Sequence, residues 1–440
     1  MSIKNYIEKH NLESILSETI NVCSKFRSEE PLIFMANYLK QKTNRRIIKL
    51  YARMILDFRG LPTLHVEMHT LKGVVTASCP SGSCIGIYEK RELRDEDPSR
   101  YLGMGIQRCV NFINDIIAPR LLDQDPANQQ DLDELLNSVS EAPGNVIHPV
   151  SVAICKAGAI ERDVPLYQHI RNNWFQPNEN KSFTLPMFTL IEGGTFFFHE
   201  IYIVPVGART FEEAVRMGVE VFQHLKRNSK EPFVTGPNGG KIVDSTFEID
   251  DILNSVVKAI AKARHTGKIQ LGLNINASEL LTEDNHYDLN VKTNVQKPCK
   301  KSANEMIHIY ETLVEKYHVH FIEDPFDADD YDSFKRLTEK HICKVIGTNV
   351  FASCPKRVEV GARDKWCDVM ALKPNQAGTL TDALRSAQVA SENGLEVVVS
   401  DRTGSTDDTF VADLSIALNA HYIKAGSPSR ATIYNQMLRF

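Results

Sequence analysis

The sequence predicts an α/β protein in which a small α+β domain precedes a β/α barrel, with a two-helix segment in front of both. Residues 176–440 alternate eight strand-like segments with helical stretches, which is the count of a closed barrel. Residues 46–175 carry three strand-like segments followed by helical ones. Residues 1–45 contain two apolar stripes at helical spacing. These observations predict three domains with those boundaries.

Composition and charge exclude several classes of function. The chain has 440 residues, 42% of them hydrophobic and 24% charged, with a net charge of −5. No long basic run is present, so nucleic acid is not an expected partner. No apolar run reaches the ~18 residues of a membrane span and no signal pattern opens the chain, so we expect a cytoplasmic protein without a membrane partner. Nine cysteines without a CxxC pair indicate reduced thiols.

The N-terminal segment predicts two helices. The first carries its apolar stripe on Leu12, Ile15, Leu16, Ile20, Cys23 and Phe26. The second opens at Pro31 and carries Leu32, Ile33, Phe34, Met35, Tyr38 and Leu39. Two short helices with apolar faces need another surface to be stable. The polar run 41–46 then predicts a linker.

The remaining elements follow in order. The small domain begins with the strands KLYARMILDFRG, TLHVEMHTL and GVVTASC and continues with helices near 100–120, 129–141 and 145–161. The eight barrel strands are predicted at FTLIE, EIYIVPVG, IQLGLNINA, HFIEDPF, CKVIGTN, DVMALKPN, EVVVSDR and YIKAG. An open doubly wound sheet is the competing interpretation. It would need a glycine-rich loop after its first strand, and Gly193-Gly194 is a poor version of one.

Polar side chains borne by the barrel strands predict the site. In a barrel, residues at strand carboxyl ends meet at one mouth. They are Glu200, Asn274, Glu323, Thr348, Lys373, Asp401, Arg402 and Lys424. Each alone is commonly a structural ion-pair partner, but the convergence of three cations favours an anion-binding site. The adjacent acids of FIEDPF raise the question of a divalent cation, which would need further oxygen ligands from other strands.

Several segments carry a resemblance to a known family. They are SGSCIGIYEKRELRDEDPSRYLGMGI, SVAICKAGAIERDVPLYQHI, FIEDPFDADD, ALKPNQAGTLTDA, VVVSDRTGSTDDTFVADL and IKAGSPSRATIYNQMLRF. In this order they resemble the enolases, from about residue 46 to the last residue. The resemblance implies an enolase-like fold with a small cap, a barrel with an irregular start, and a homodimer. It also implies the reversible conversion of 2-phosphoglycerate to phosphoenolpyruvate with two Mg²⁺, in which a lysine is the base and metal stabilises the ene-diolate.

Part of the family's site is retained. The resemblance implies that Lys373, in MALKPNQ, is the base and that Lys424 holds substrate. Arg402 corresponds to the phosphate-binding arginine, with Thr403 in place of the neighbouring serine. Glu200, in FHEIY, corresponds to the glutamate of the family's QEF segment.

Other positions depart from the family pattern. Asn238, in GPNGG, replaces the glutamate that assists hydroxide departure, and an amide cannot supply that proton. Asn274 and Thr348 replace two of three metal-binding aspartates or glutamates, which leaves Glu323 alone. Asp401 replaces a substrate-facing histidine. Cys84 replaces a metal-binding serine, and GGTFFFH replaces the loop that closes over substrate, its phenylalanines being typical of packing.

These losses predict an enolase-like chain without ordinary enolase activity. Mg²⁺ tolerates little departure from octahedral oxygen ligation, so we expect no cofactor, and Mg²⁺ only if the chain is active. The leading interpretation is a dimeric structural or docking component. The alternatives are an enzyme, either a residual enolase or one that uses Lys373 as base on another phosphorylated acid, and a sensor that binds an anion through Arg402, Lys373 and Lys424.

Residues 1–45 resemble a second family, and we expect them to have no counterpart in ordinary enolases. LESILSETINVCSKFRSEEPLIFMANYLKQK is similar to the dimerisation-and-docking motif of protein kinase A regulatory subunits and their ciliary relatives. Such motifs form a four-helix bundle that receives an amphipathic partner helix. The resemblance implies a ciliary or cytoskeletal partner and a place in the axoneme of a cilium or flagellum. A helical hairpin packed on the chain's own barrel is the alternative.

Overall fold

The computed structural model describes the chain in nine stretches. They are residues 2–42, 46–82, 86–140, 142–174, 183–194, 196–229, 231–243, 247–293 and 297–440. Part of the predicted linker 41–46, and with it residues 43–45, lies outside the described residues. Within the described part of the chain, no helix combines the length and apolar character that a bilayer span requires.

Three helices come before the first strand. They are α1 Ile3–Lys9, α2 Leu12–Phe26 and α3 Pro31–Gln41. The sequence predicts α2 and α3 but not α1, which begins where the side chain of Ser2 accepts from the Asn5 backbone N–H. Helices α2 and α3 are joined by Glu18, whose Oε1 accepts from Tyr38 Oη at 2.6 Å and from Lys42 Nζ at 2.7 Å. The hairpin is therefore held together by its own contacts.

The small domain is an antiparallel sheet covered by helices. Its strands are β1 Ile47–Leu56, β2 Pro62–Thr70 and β3 Val74–Ser78, in the order β1-β2-β3. The helices are α4 Gln107–Asn111, α5 Ala118–Leu121, α6 Gln129–Ser138, α7 Gly144–Arg162 and α8 Leu166–Trp174. Alternate residues Leu64, Val66 and Met68 of β2 are fully buried, as expected for a strand with one face on the core.

The predicted helix near 100–120 is interrupted. A 3₁₀ turn spans Tyr101–Gly103, and a π-helical stretch, Phe112–Ile117, separates α4 from α5. Within that stretch, Asn114 accepts from the backbone N–H of Ala52 at 2.7 Å and donates to its carbonyl at 3.2 Å. The side chain thus completes the hydrogen bonds of an edge strand, a requirement that helical periodicity does not report.

Eight strands close into a barrel. They are β4 Leu185–Glu192, β5 Glu200–Val204, β7 Gln270–Asn274, β10 Val319–Glu323, β11 Lys344–Gly347, β12 Val369–Leu372, β13 Glu396–Ser400 and β14 Tyr422–Lys424. Each pairs with the next, and β14 pairs with β4, which excludes the open sheet. Strand β5 runs antiparallel to both neighbours, the irregular start that the resemblance implies. The described residues also form β6 Lys241–Ile242, paired with β4, and the hairpin of β8 Tyr287–Asp288 with β9 Lys300–Lys301.

Helices surround the barrel. They are α9 Phe211–Asn228, α10 Ile249–Lys262, α11 Ala303–Tyr317, α12 Tyr331–Thr338, α13 Pro355–Arg363, α14 Pro374–Ala377, α15 Leu380–Glu392, α16 Phe410–Ala417 and α17 Ala431–Met437. The barrel interior holds a separate cluster that includes Met187, Tyr202, Phe321 and Tyr422. This filled interior leaves the mouth as the place where polar side chains gather.

Candidate functional site

The barrel mouth contains a cavity of about 80 Å³. Eight of the ten residues predicted for the site and present in the described chain line it: Glu200, Asn238, Asn274, Lys373, Asp401, Arg402, Thr403 and Lys424. Glu323 and Thr348 adjoin it through hydrogen bonds. Cys84, which the resemblance placed near a metal, lies outside the described residues. The fold therefore brings the described members of the predicted set together at the barrel mouth.

Glu200 reaches the mouth by a different route from the one that the sequence suggested. It is the first residue of β5, not a residue at a strand's carboxyl end. Because β5 is antiparallel, its amino end pairs with the carboxyl ends of β4 and β7, at Glu192 and Asn274. The expectation of carboxyl ends only is wrong for this residue.

Lys424 joins two carboxylates at the centre of the site. Its Nζ lies 2.6 Å from Oε2 of Glu200 and 2.6 Å from Oε2 of Glu323. The ammonium also stands over the ring of Tyr202, 4.9 Å from the centroid. Burial alone would lower the pKa of Lys424, but the two carboxylates outweigh it and raise that pKa. Lys424 is therefore a buried, charged and fully paired cation.

The second oxygen of each carboxylate is also occupied. Glu323 Oε1 accepts from Thr348 Oγ1 at 2.9 Å, and Glu200 Oε1 accepts from Asn238 Nδ2 at 2.6 Å. Asn238 Oδ1 in turn accepts from Arg430 Nη1 at 3.2 Å. The two residues that replace family acids thus act as neutral donors to the carboxylates that remain.

This arrangement keeps Glu200 deprotonated although the residue is buried. Burial raises the pKa of Glu200, but Lys424 more than offsets this and lowers it to about 2. The side chain is 6% exposed and so has little contact with water. A buried carboxylate that remains charged requires such paired and hydrogen-bonded partners.

The residues present do not fit Mg²⁺. Octahedral coordination needs several free oxygens, and carboxylates supply most of the charge. Glu323 contributes the one retained metal carboxylate, but Lys424 and Thr348 already occupy its oxygens. Asn274 Oδ1 is buried and has no hydrogen-bond partner among the residues that the structure describes, yet it is a single neutral oxygen. No group of three or more His, Cys, Asp or Glu suited to a metal occurs in the described part of the chain.

Arg402 is paired with an acid that the sequence analysis missed. Its Nη1 donates to Glu89 Oε2 at 2.8 Å, and both side chains are 5% exposed. Glu89 Oε1 accepts from the Gly86 backbone and from Gln376 Nε2, each at 3.0 Å. Burial opposes the charge of Glu89, but Arg402 outweighs it and lowers the pKa. Glu89 comes from the small domain, so no pattern within the barrel strands could indicate it.

Lys373 differs from the other mouth cations. Its backbone N–H donates to Ser353 Oγ at 2.9 Å, which fixes the start of α14. Its Nζ has no hydrogen-bond or ion-pair partner among the residues that the structure describes. Burial lowers the pKa of this amine, and the nearby charge of Arg402 lowers it further. Such an amine can take up a proton or act as a nucleophile.

Two further carboxyl groups have raised pKa values. Asp324 accepts from the backbone N–H of Thr348 at 2.8 Å, while burial and then Glu323 raise its pKa to about 7. Asp401 lies 3.8 Å from Arg430, and burial raises its pKa. Asp324 lines the cavity, and the adjacent acids of FIEDPF were the signal that could have included it in the predicted set.

The loop GGTFFFH behaves as predicted in its described part. Phe198 is buried, and Phe196 and Phe197 pack partly buried against the core. The ring centroids of the three lie 4.9–5.7 Å apart. Residue 195 lies outside the described residues.

The fold and the mouth define a class: a β/α barrel with an α+β cap, whose mouth gathers lysine, arginine and carboxylate side chains. Residues 47–170 match the family model described as "Enolase, N-terminal domain", and residues 180–440 match "Enolase, C-terminal TIM barrel domain". Cytosolic enolase 3 of Arabidopsis thaliana is 37% identical over 459 residues, covering 100% of this chain and 96% of the relative. The chain belongs to the enolase family, whose members use Mg²⁺.

The same alignment corrects one expectation from the sequence. Because it covers the whole chain, residues 1–45 also align with a protein that carries an enolase name. The expectation that this segment has no counterpart in ordinary enolases is wrong for this relative.

Proposed function

We propose that this enolase-family chain does not catalyse magnesium-dependent dehydration of 2-phosphoglycerate, and that it acts instead as a dimeric structural or docking component. The observation that carries the first part is the position of Lys424 between Glu200 and Glu323. The internal ammonium balances one of the two carboxylate charges and occupies one oxygen of each carboxylate, which leaves less charge and fewer free oxygens for a divalent cation.

Two further replacements support the proposal. Asn238 donates to Glu200, so its amide serves the network and has no acidic proton to give to a departing hydroxide. Two of the cations at the mouth, Lys424 and Arg402, are already paired with carboxylates, so they are less able to take over the stabilisation of an ene-diolate that metal provides in the family. Loss of one electrostatic catalytic group typically costs on the order of 10²–10³ in rate, and here acid and metal ligands are replaced together.

The test is an assay of the purified full chain for phosphoenolpyruvate formation from 2-phosphoglycerate with Mg²⁺, beside a standard enolase. We expect no turnover above the rate without protein. A rate within tenfold of the standard enolase would overturn the proposal, whereas a Lys373→Ala variant would show whether any trace activity belongs to this site.

An active enzyme is the second candidate. It is supported by the 37% identity to a protein named an enolase and by the gathering of Glu200, Lys373, Arg402 and Lys424 at one cavity. In that case the reaction is that of a residual enolase, or another reaction on a phosphorylated acid with Lys373 as base. Activity with a phosphorylated acid that depends on Lys373 and not on Mg²⁺ would favour this candidate.

The docking role is supported by the exposed face of the N-terminal hairpin. Leu16, Ile20 and Ile33 are 48%, 55% and 59% exposed, so the hairpin does not bury this face against its own barrel. We propose that a second copy covers the face and that the resulting bundle receives an amphipathic helix of a ciliary or cytoskeletal partner. The name of the Arabidopsis relative supports a cytoplasmic location, and the axoneme of a cilium or flagellum is the more specific proposal.

A further inference from the structure

Lys373 presents an amine that the proposed function leaves unused. Arg402 is paired with Glu89, and Lys424 is paired with Glu200 and Glu323. Lys373 lines the same cavity, and its Nζ has no such partner within the described residues. The mouth therefore contains one lysine whose amine is available to a ligand.

The structure fixes this lysine while leaving its amine unpaired. Ser353 Oγ accepts from the Lys373 backbone N–H and donates to Gln376 Oε1, both at 2.9 Å. Ser353 is fully buried and Gln376 is 2% exposed, so the first turn of α14 has little freedom to move. Because the backbone is already fixed, capture of the amine restricts only the side chain.

We propose that Lys373 forms a reversible imine with a small 2-oxo carboxylate. The Nζ lone pair attacks the keto carbon, and one Nζ proton passes to the former carbonyl oxygen to give a carbinolamine. Its hydroxyl then leaves as water together with the second Nζ proton, and a carbon–nitrogen double bond remains. Addition of water reverses the step, so no oxidant or reductant is required.

The surrounding groups suit this chemistry. Burial and the charge of Arg402 favour the uncharged amine, which is the nucleophilic form. The guanidinium of Arg402, although paired with Glu89, lines the same cavity and is a cationic group that the carboxylate of the ligand would meet there. The cavity is smaller than a typical ligand pocket, which favours a small ligand.

Imine formation at Lys373 goes beyond the proposed function, and different experimental results would contradict each of these two proposals. Turnover of 2-phosphoglycerate would overturn the proposed function without touching imine formation. Absence of an imine would leave the proposed function standing.

The experiment traps the imine with cyanoborohydride in the full chain, with pyruvate as the probe and intact mass followed by peptide mapping as the readout. We expect one saturable adduct on the peptide that contains Lys373. Lys373→Arg, with an unchanged melting temperature, should lose that adduct. Lys262→Arg, at an exposed lysine, should keep it. Acetone, which has no carboxylate, should label Lys373 less than pyruvate does at the same concentration.

Labelling of the wild-type protein alone distinguishes selective imine formation at Lys373 from unselective reaction of surface lysines. Mapping of the wild-type adduct to exposed lysines, with Lys373 unmodified, overturns the proposal. Equal labelling of Lys373 and Lys262 in the wild type also overturns it, because it indicates unselective surface chemistry. Equal labelling by acetone and pyruvate would show that the carboxylate is not recognised, and so would reject the 2-oxo carboxylate as the ligand class.

Discussion

Lys424 Nζ lies 2.6 Å from Glu323 Oε2, so the one carboxylate retained from the family's metal site is bonded to a lysine of the same chain. A side chain cannot diffuse away, so this cation is present whenever the barrel is folded. The ion pairs of Lys424 therefore contribute to the stability of the barrel, and the first predictions concern that contribution.

Removal of the ammonium should destabilise the barrel strongly. Lys424→Met leaves the buried carboxylates of Glu200 and Glu323 facing each other without a cation. Breaking a buried pair in this way costs about 3–5 kcal/mol. Denaturant unfolding measures the change.

Lys344→Met is the matched control. Its pair with Glu396 is similarly short, at 2.6 Å, but the side chains are 43% and 30% exposed. A pair in contact with water is worth about 0–1 kcal/mol. Equal losses for the two variants would contradict the central role of Lys424.

Magnesium should not stabilise the wild type. Because Lys424 and Thr348 occupy the oxygens of Glu323, millimolar Mg²⁺ should leave the melting temperature unchanged when compared with NaCl at equal ionic strength. A saturable rise with a sub-millimolar midpoint would show that other oxygens complete a site.

Restoring the family acids should recover metal binding before it recovers turnover. Asn274→Asp, Thr348→Asp and Asn238→Glu together add carboxylates, and Mg²⁺ should then raise the melting temperature. Asp401 and the loop at 196–199 still differ from the family pattern, so substrate would not be held in productive geometry. Calorimetric titration with Mg²⁺ and the enolase assay measure the two properties separately, and full turnover by the triple variant would contradict this order.

Acid should weaken the fold through Glu200. Burial would raise its pKa, but Lys424 lowers it from 4.5 to about 2. A carboxyl whose pKa is lower in the folded state contributes stability that is present above pH 4.5 and lost as pH falls from 4.5 through 2. Glu200→Gln should therefore reduce the free energy of unfolding at pH 6 more than at pH 3.

The exposed Glu212→Gln is the control for that experiment, since it should change neither value. At each pH, the free energy of unfolding of each variant must be compared with that of the wild type, because other groups also change the stability as pH falls. Asp324 and Glu192 have pKa values raised to about 7, and they act in the opposite direction as pH falls. A pH-independent effect of Glu200→Gln would show that Lys424 does not hold the Glu200 charge.

Hydrophobic periodicity was sufficient to predict the regular strands and helices. It was insufficient where a side chain provides the hydrogen bonds that the backbone of a distant segment needs. All eight barrel strands follow from short apolar runs, because most of their residues are buried on both faces of the sheet. The π-helical stretch depends on the contact between Asn114 and Ala52, which are far apart in sequence. Helix α1 was missed because it has only seven residues, and its apolar residues Ile3 and Tyr6 are exposed, so no stripe of buried positions marks it.

The site shows the same division. The site residues on the barrel strands were predicted correctly to lie at the mouth, because closure of the barrel brings the strand ends together for any conformation of the loops. Glu89 and Arg430 were missed, since each reaches the mouth from outside the strands. The pairing of Lys424 with Glu200 and Glu323 was also missed. The sequence placed all three residues at the mouth, but only the distances show that Lys424 and Arg402, two of the three cations expected to attract an anion, are already paired with carboxylates.

The N-terminal hairpin provides the last prediction. At about 1.5–3 kcal/mol for each large side chain that becomes fully buried, association through Leu16, Ile20 and Ile33 could stabilise a four-helix bundle. We expect residues 1–45 to form a helical dimer, measured by circular dichroism and sedimentation. Ile20→Asp should abolish it, while Ser24→Asp, at an exposed polar position of the same helix, should not.

Phe34→Asp should also abolish the dimer, but for a different reason. Phe34 contacts the rings of Phe26 and Tyr38 within one hairpin, at 5.8 and 6.5 Å between centroids, so its loss should reduce helicity as well. Ile20→Asp should instead leave the hairpin of the full chain intact and remove only capture of a partner helix. A monomeric, unfolded 1–45 peptide would contradict dimerisation through this face, and it would mean that the hairpin depends on the rest of the chain.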